Sequence, residues 1–182
     1  LEDVAARIGA AYRARGFVLS QAVLPAQTVE NGQVTILVVE GFVNRVEITG
    51  GADNQNAYAQ TRFAPVTAER PLSLSTLERG ILLSRDTFGG TVETVLEPSP
   101  DTFGAADLGV LIEPAPISYF ATIDNRGSRL YGEWTLGAGA RAYNLLGQND
   151  RLDALVAGAP KDGSLLFGAL AYDAPIPRLN GT

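Results

Sequence analysis

Carboxylate pairs are the strongest candidates for chemistry in this chain, because it contains neither histidine nor cysteine. Without them there is no Ser–His pair, no disulfide and no thiolate metal site, and the commonest general base and zinc ligand are missing. The pairs Asp101/Asp107 and Glu93/Glu97 lie on a predicted loop and on predicted strands. We interpret them as solvated or edge charges rather than as a general acid and base.

Two further patterns have residue types that occur in binding sites, but the sequence around them does not fit such a site. Asn149 and Asp150 carry oxygen atoms of the kind that ligate calcium, but we interpret this polar piece as a turn between strands. Gly89 and Gly90 have no strand predicted before them and no Lys-Ser or Lys-Thr after them, which argues against a phosphate loop. We therefore predict no enzymatic activity, no cofactor and no catalytic or metal-binding residue.

Composition limits the partners of the chain. Its 182 residues carry a net charge of −6 with a pI of about 4.6, which argues against nucleic acid as a partner. The chain is 46% hydrophobic and 19% charged, yet no run approaches the roughly 18 to 20 apolar residues of a membrane helix. It begins inside an amphipathic pattern without Met or a visible signal peptide, so we expect a fragment of a longer protein.

A β-hairpin is predicted near the start of the chain. Residues 17–24 alternate as a strand, and Pro25 ends the ladder because it has no N–H to donate. Asn31 and Gly32 then supply a turn that tolerates positive φ. Residues 33–39 are apolar on both faces, so we expect this second strand to be central and covered.

Helices are predicted on both sides of the hairpin. Residues 1–15 have apolar positions at helical spacing, with Glu and Asp in the first turn and Arg in the last. Asn54 or Asp53 is the predicted cap of a short helix through Arg62, and Pro65 limits its length. A further helix covers residues 74–86.

The helix over residues 74–86 has a predicted cap and belongs to a repeated order of elements. Ser73 is the predicted N-cap of the helix over 74–86, and Ser75 with Glu78 fits a capping box as an alternative. The order helix, strand, strand occurs twice among the predicted elements, at 1–40 and at 74–113. This is a weak repeat with a period of about 75 residues. The remaining strands of this region are predicted over residues 42–49, 91–97 and 108–113.

The last third contains no helix signal after Pro114 and Pro116, and its strands alternate over long spans. In the first span, one face takes Trp134, Leu136, Ala138, Ala140 and Ala142, and the other takes Glu133, Thr135, Gly137, Gly139 and Arg141. In the next span, Leu152, Ala154 and Val156 alternate with Arg151, Asp153 and Leu155.

This alternation has two interpretations. Long strands with one apolar face and aromatic residues near their ends are typical of an outer-membrane barrel, and an ordinary antiparallel sheet with one wet face alternates similarly. Glycines such as Gly137 and Gly139 weaken an ordinary soluble strand, which favours the barrel wall. The candidate interface aromatics are Tyr119, Phe120, Tyr131, Trp134, Tyr143 and Tyr172.

The segment from Tyr12 to Gly41 resembles the end of a ShlB-type POTRA (polypeptide-transport-associated) domain. The matching residues are Tyr12, Gly16, Phe17, Leu24, Pro25, Gln27, Gly32, Val38, Glu40 and Gly41. Residues 42–114 resemble a second POTRA domain, with PLSLSTLERGILL and the positions Gly104, Asp107 and Leu108. The stretches DNRGSRLYGEW and NLLGQNDRL resemble the first barrel strands of two-partner secretion transporters, the haemolysin-activator or filamentous-haemagglutinin-transporter type.

The resemblance implies an α+β fold. Each POTRA domain has the order β-α-α-β-β, with a three-stranded mixed sheet and two helices, and antiparallel strands of an outer-membrane β-barrel follow. Residues 1–41 are then the C-terminal part of POTRA 1, 42–114 are POTRA 2, and 115–182 are the first barrel strands. About four strands are too few to close a barrel of about eight, so we expect the barrel to be incomplete.

The resemblance also implies a function in the Gram-negative outer membrane, with the POTRA domains in the periplasm. There they bind an unfolded exoprotein and pass it to the barrel pore, without nucleotide or nucleic acid, while outer-membrane lipid surrounds the barrel. Two alternatives stay open: a barrel-assembly factor, and a soluble β-rich binding module.

An exposed sheet edge is the predicted place of client binding, because an extended polypeptide can add a strand there. Pairing of both candidate strands within their own domains is the alternative. The first candidate edge consists of Phe17, Val18, Leu19, Ser20, Gln21, Ala22, Val23 and Leu24. The second consists of Thr91, Val92, Glu93, Thr94, Val95 and Leu96.

Overall fold

The computed structural model describes residues 1–29, 32–126, 133–159 and 166–175, and the chain forms two compact units. No helix within these ranges is long and apolar enough to cross a membrane. The helices and strands are α1 (Glu2–Ala14), β1 (Gln21–Val23), β2 (Leu37–Val39), β3 (Phe42–Thr49), α2 (Asp53–Ala68), α3 (Leu74–Phe88), β4 (Thr91–Pro98), β5 (Ala105–Glu113), β6 (Ile117–Asp124), β7 (Thr135–Tyr143), β8 (Arg151–Gly158) and β9 (Leu166–Asp173).

Unit 1 comprises Leu1–Gly51, Asn56–Ser84 and Val92–Ile112. It contains the antiparallel hairpin β1-β2, which α1 contacts, and a three-stranded sheet in the order β3-β5-β4. The strands β3 and β5 run parallel, so the helices α2 and α3 lie in the connection between β3 and β4. This is the predicted β-α-α-β-β order, and the predicted α+β fold class is confirmed.

A core of fully buried apolar side chains holds unit 1 together. Alternate residues of β5 point into it, which is why this strand shows a period of two in its burial, whereas the alternation of β3 is interrupted by a register shift between Val43 and Arg45. Helical residues at spacings of three and four complete it from the other side. Its members include Val43, Phe63, Val66, Leu72, Leu77, Leu108, Val110 and Ile112.

The predicted hairpin strands are too long. Of the strand predicted over residues 17–24, only β1 forms. The residues before it make local bonds instead, because Val18 N donates to Gly16 O at 3.1 Å and Ser20 N donates to Phe17 O at 3.2 Å. These bonds put Phe17, Val18 and Leu19 in turns, and Ser20 and Leu24 also lie outside the strand.

The second hairpin strand was also predicted too long, and its predicted cover is wrong. Of residues 33–39, only β2 forms a strand. The strand is neither covered nor central, since Leu37 and Val38 are exposed and β2 pairs only with β1 in the part of the chain that is described. In the predicted turn, Gly32 has φ 73°, and Asn31 lies outside the described residues.

Pro65 does not limit the helix that contains it. Helix α2 continues to Ala68, six residues beyond the predicted end at Arg62. The fully buried side chains of Phe63 and Val66 flank the proline, and Glu69 N donates to Pro65 O at 3.0 Å. Packing of the last turn therefore outweighs the one backbone hydrogen bond that proline removes.

Unit 2 comprises Ala52–Gln55, Arg85–Thr91 and Glu113–Thr182. Its centre is an antiparallel sheet in the order β6-β7-β8-β9. The register aligns Tyr119 with Ala140, Ala140 with Ala154 and Ala154 with Leu170 across the four strands. The predicted division of β7 and β8 into two faces is confirmed by this register.

Candidate functional site

Each predicted client-binding segment contributes one strand of unit 1 that lies at a sheet edge. Within the described ranges, β1 pairs only with β2, and β4 pairs only with β5. Each strand therefore leaves one row of backbone N–H and C=O groups without a strand neighbour. Of the predicted client-binding residues, Gln21–Val23 and Thr91–Leu96 lie in these strands.

An apolar cleft of about 450 Å³ lies between the hairpin and the end of β4 within unit 1. Leu19, Val23 and Val39 line it from the hairpin, and Leu96 and Phe103 line it from the opposite side. The structure thus brings parts of both predicted segments to one place. The remaining predicted residues of β4, 91–95, do not line this cleft.

Phe103 is the most exposed large apolar residue of this cleft, and it lies outside both predicted client-binding segments. Its side chain is 82% exposed, and it lies on the loop between β4 and β5. The signal in the sequence is an aromatic residue inside the polar loop PSPDTFGAAD. An exposed aromatic ring beside an apolar cleft is typical of a binding surface.

Gln27 of the POTRA-like motif has a structural role. Its side-chain Nε2 donates to Thr35 O at 2.8 Å, and Thr35 N donates to its Oε1 at 2.7 Å. The side-chain amide thereby makes the pair of bonds that a backbone amide makes in a ladder. It does so next to Pro25, where the ladder itself lacks a donor.

Glu40 and Gly41 connect the hairpin to its surroundings. The Tyr12 hydroxyl donates to Glu40 Oε1 at 2.8 Å, and this bond raises the pKa of the Tyr12 phenol. Gly41 N donates to the Oγ of buried Ser20 at 3.2 Å, and Leu72 N donates to Gly41 O at 3.0 Å. These motif residues therefore stabilise unit 1 and do not line the cleft.

The carboxylates do not form an acid–base pair. Glu93, Glu97 and Asp101 are exposed, as predicted. The prediction is wrong for Asp107, whose side chain is only 15% exposed and pairs with Arg45 Nη2 at 2.8 Å. No group of three or more potential metal ligands occurs among the residues that the structure describes.

The sheet of unit 2 has one face without any charged residue, which we call the apolar face. Many of its side chains are exposed, including Tyr119, Leu166 and Leu170. By register it consists of Ile117, Tyr119, Ala121, Ile123, Leu136, Ala138, Ala140, Ala142, Leu152, Ala154, Val156, Gly158, Leu166, Gly168, Leu170 and Tyr172.

The opposite face carries a row of ion pairs, which we call the ladder: Arg141, Asp153, Arg151 and Asp173. Arg141 on β7 pairs with Asp153 on β8. Arg151 Nε lies 3.1 Å from Asp153 Oδ2, and Arg151 Nη2 lies 2.8 Å from Asp173 Oδ2 on β9. Each cation therefore has a carboxylate partner across the strands.

Phe120 extends this row to β6. The guanidinium carbon of Arg141 lies 5.3 Å from the centroid of the Phe120 ring, in the range of a cation–π contact. A Cβ at Gly139 would collide with the same ring, so glycine is required there for close approach. Phe120 and Tyr143 thus lie on the charged face, and their prediction as interface aromatics is wrong. Tyr131 lies outside the described residues.

The start of the chain matches a known domain family. Residues 1–41 match the family described as "POTRA domain, ShlB-type". The chain is 28% identical over 154 residues to the heme/hemopexin transporter protein HuxB of Haemophilus influenzae strain Rd, and 27% identical to HuxB of strain 86-028NP. Either match covers 84% of this chain and 27% of the relative.

Two solved structures share the fold. CdiB from Escherichia coli has a TM-score of 0.66 at 23% identity, over 94% of this chain and 32% of the other. CdiB from Acinetobacter baumannii has a TM-score of 0.60 at 19% identity, over 96% of this chain and 33% of the other. Together with the sequence matches, this confirms the resemblance to two-partner secretion transporters. The boundaries at residues 41 and 114 stay predictions.

Proposed function

We propose that this chain is part of an outer-membrane transporter for protein secretion of the two-partner type. Unit 1 binds an unfolded exoprotein in the periplasm of a Gram-negative bacterium. The strands of unit 2 form part of the wall of the barrel through which the exoprotein leaves. Neither step uses an enzymatic group, a nucleotide or a nucleic acid.

The apolar cleft of unit 1 carries this proposal. It lies beside β1 and β4, two strands with an edge free of strand neighbours. An extended polypeptide has alternating side chains and unpaired backbone groups, whereas a folded protein has neither available. The apolar lining and the exposed ring of Phe103 suit apolar side chains of such a client, and the strand edges suit its backbone.

The apolar face of unit 2 supports the membrane part of the proposal. Its strands are eight or nine residues long, close to the 9–11 residues that cross an outer membrane at a tilt. Exposed apolar residues on one face, with all the charged residues of the strands on the other, match a wall between lipid and a polar lumen.

Substitution of the exposed aromatic residue tests client binding. Phe103→Ser in the full-length transporter removes apolar contact area and leaves the buried core unchanged. We expect affinity for a fluorescein-labelled extended peptide of alternating Val and Ser, measured by anisotropy, to fall about tenfold. The matched control is Leu82→Ser, an exposed residue of α3 that does not line the cleft. Equal affinities of the two variants would contradict the proposal.

Crosslinking in secreting cells tests the same site with the natural client. A photoreactive amino acid at Val23 or Leu96 lies in the cleft, and one at Leu82 lies outside it. We expect an adduct with the exoprotein encoded beside the transporter from the two cleft positions only. Equal capture from position 82 would show that the contact is not specific to the cleft.

A further inference from the structure

The turn between β7 and β8, residues 144–150, is fixed by its own hydrogen bonds. Asp150 is fully buried, and its carboxylate accepts from Leu146 N at 3.0 Å and from Gln148 N at 3.3 Å. Asn144 N donates to Asp150 O at 2.7 Å. The prediction that Asn149 and Asp150 belong to a turn is confirmed.

The first turn of α2, which belongs to the same unit, makes hydrogen bonds to one side of the β7–β8 turn, which we call the inner side. Asn54 Nδ2 donates to Asn144 Oδ1 at 2.8 Å and to Gly147 O at 3.1 Å. Asn149 Nδ2 donates back to Asn54 O at 3.3 Å. Amide groups thus satisfy one another on the inner side of the turn, which keeps its backbone in one conformation.

Two leucines lie on the outer side of this fixed turn. Leu145 is 57% exposed and Leu146 is 63% exposed. A turn in water is expected to carry polar residues at such positions, since a large exposed apolar pair gains nothing there. Asp150 is enclosed, whereas both leucines are outside, where Gln148 is the exposed polar residue of the turn.

We propose that Leu145 and Leu146 anchor the β7–β8 turn in the membrane, at the boundary between phospholipid headgroups and acyl chains. The proposal rests on the proposed barrel function of unit 2. The anchor lies at the end of the sheet where β6 begins, because Ile117 aligns with Ala142 and Ala142 with Leu152. The leucines therefore lie just beyond the end of the sheet at which the apolar face ends in Ile117, Ala142 and Leu152.

Strand length places the turn at the membrane boundary. The nine residues of β7, at about 3.4 Å each and a tilt of about 40°, rise about 23 Å. The apolar band of an outer membrane is about 25 Å tall. Residues just beyond Tyr143 therefore lie where lipid headgroups meet acyl chains. A rigid turn loses little conformational entropy when its leucines enter that layer.

Lipid quenching of a fluorescent label tests the anchor. Full-length transporter without other cysteines, carrying Leu145→Cys or Leu146→Cys, is labelled with the environment-sensitive fluorophore NBD. It is then placed in phosphatidylethanolamine–phosphatidylglycerol vesicles. We expect spin-labelled lipid to quench these labels about threefold more than a label at Gln148→Cys in the same turn. Iodide in the water should show the opposite order.

A label at Leu170→Cys separates the anchor from the barrel proposal, since Leu170 lies on the apolar face and is 78% exposed. Lipid quenching at 170 without quenching at 145 and 146 would overturn the anchor alone. Absence of quenching at 170 would overturn the barrel proposal. Labels at 145 and 146 protected from both lipid and iodide would indicate a protein partner and would likewise overturn the anchor.

Discussion

The sheets of units 1 and 2 have the same alternation of apolar residues but opposite burial. In β5 of unit 1, Leu108, Val110 and Ile112 are at most 2% exposed. In β9 of unit 2, Leu166 and Leu170 are 80% and 78% exposed. Alternation along a strand therefore defines which side chains share a face, and neighbouring elements decide whether that face is covered.

The difference matters because each exposed apolar Å² in water forgoes about 25 cal/mol of transfer free energy. Unit 1 recovers this energy within its own core. In the proposed barrel, the apolar face of unit 2 recovers it from lipid. The same amino-acid substitution should then change the free energy of unfolding by different amounts in the two sheets.

The largest difference is expected for one substitution made in both sheets. Leu108→Ala leaves a cavity in the core of unit 1 and should lower the free energy of unfolding by about 2–5 kcal/mol. Leu170→Ala on the apolar face leaves no cavity, because lipid or detergent fills the space, and should lower it by less, at most about 2 kcal/mol. Urea unfolding of the full-length protein, followed by protease sensitivity of each unit, measures both. Equal effects would remove the contrast between the sheets.

The buried carboxylate of the β7–β8 turn should have the next largest effect. Leu146 N donates to both carboxylate oxygens of Asp150, and Asp150→Asn replaces one of these acceptors by a donor. We expect a cost of about 1–3 kcal/mol. The temperature at which the barrel unfolds in detergent, read from its shift on gels, should fall. Gln148→Ala, which keeps the backbone donor, should leave that temperature unchanged.

The ladder should contribute less, since its side chains are partly exposed. Asp153→Asn leaves Arg141 without its carboxylate partner, while Arg151 keeps Asp173. We expect a cost of about 1 kcal/mol in the same gel assay. The control is Asp124→Asn, whose more exposed carboxylate lies 3.7 Å from Arg126 Nε. A ladder variant no different from this control would mean that the ladder does not stabilise the sheet.

The smallest effect concerns the segment between α2 and α3. Hydrogen bonds from Thr76 and Ser73 hold the pKa of Glu69 below its ordinary value. A depressed folded pKa adds stability above the unfolded value of about 4.3 and loses it as the pH falls through the folded one. The unfolding midpoints of the native protein and Glu69→Gln should differ at neutral pH and converge once the pH has fallen through the folded pKa of Glu69. A difference between the two midpoints that persists in acid would show that the charge of Glu69 does not cause it.

Local patterns predicted much of the fold. The strand over residues 42–49 coincides with β3, and the N-cap of α3 is Ser73, whose Oγ accepts from Thr76 N at 3.4 Å. The two faces of β7 and β8 followed from alternation alone. These features depend on neighbours in sequence, which is why a single sequence is sufficient for them.

Features that depend on distant contacts were not predictable. The Gln27 side chain replaces ladder bonds to Thr35 before the second hairpin strand, and α2 passes Pro65 because Phe63 and Val66 are buried. The cleft joins Leu19 to Phe103, and Phe120 faces the ladder because β7 offers a glycine opposite it. None of these contacts leaves a pattern within one segment.

Accessibility along a single strand tests the contrast between the sheets most directly. Spin labels are placed one at a time from Thr135 to Tyr143 in the full-length transporter in lipid vesicles, and collisions with oxygen and with a water-soluble nickel chelate are compared. We predict a period of two, with oxygen maxima at Leu136, Ala138, Ala140 and Ala142, since oxygen concentrates in lipid. Equal access of the chelate to both faces, or oxygen maxima at the alternate positions, would contradict the assignment of the apolar face to lipid.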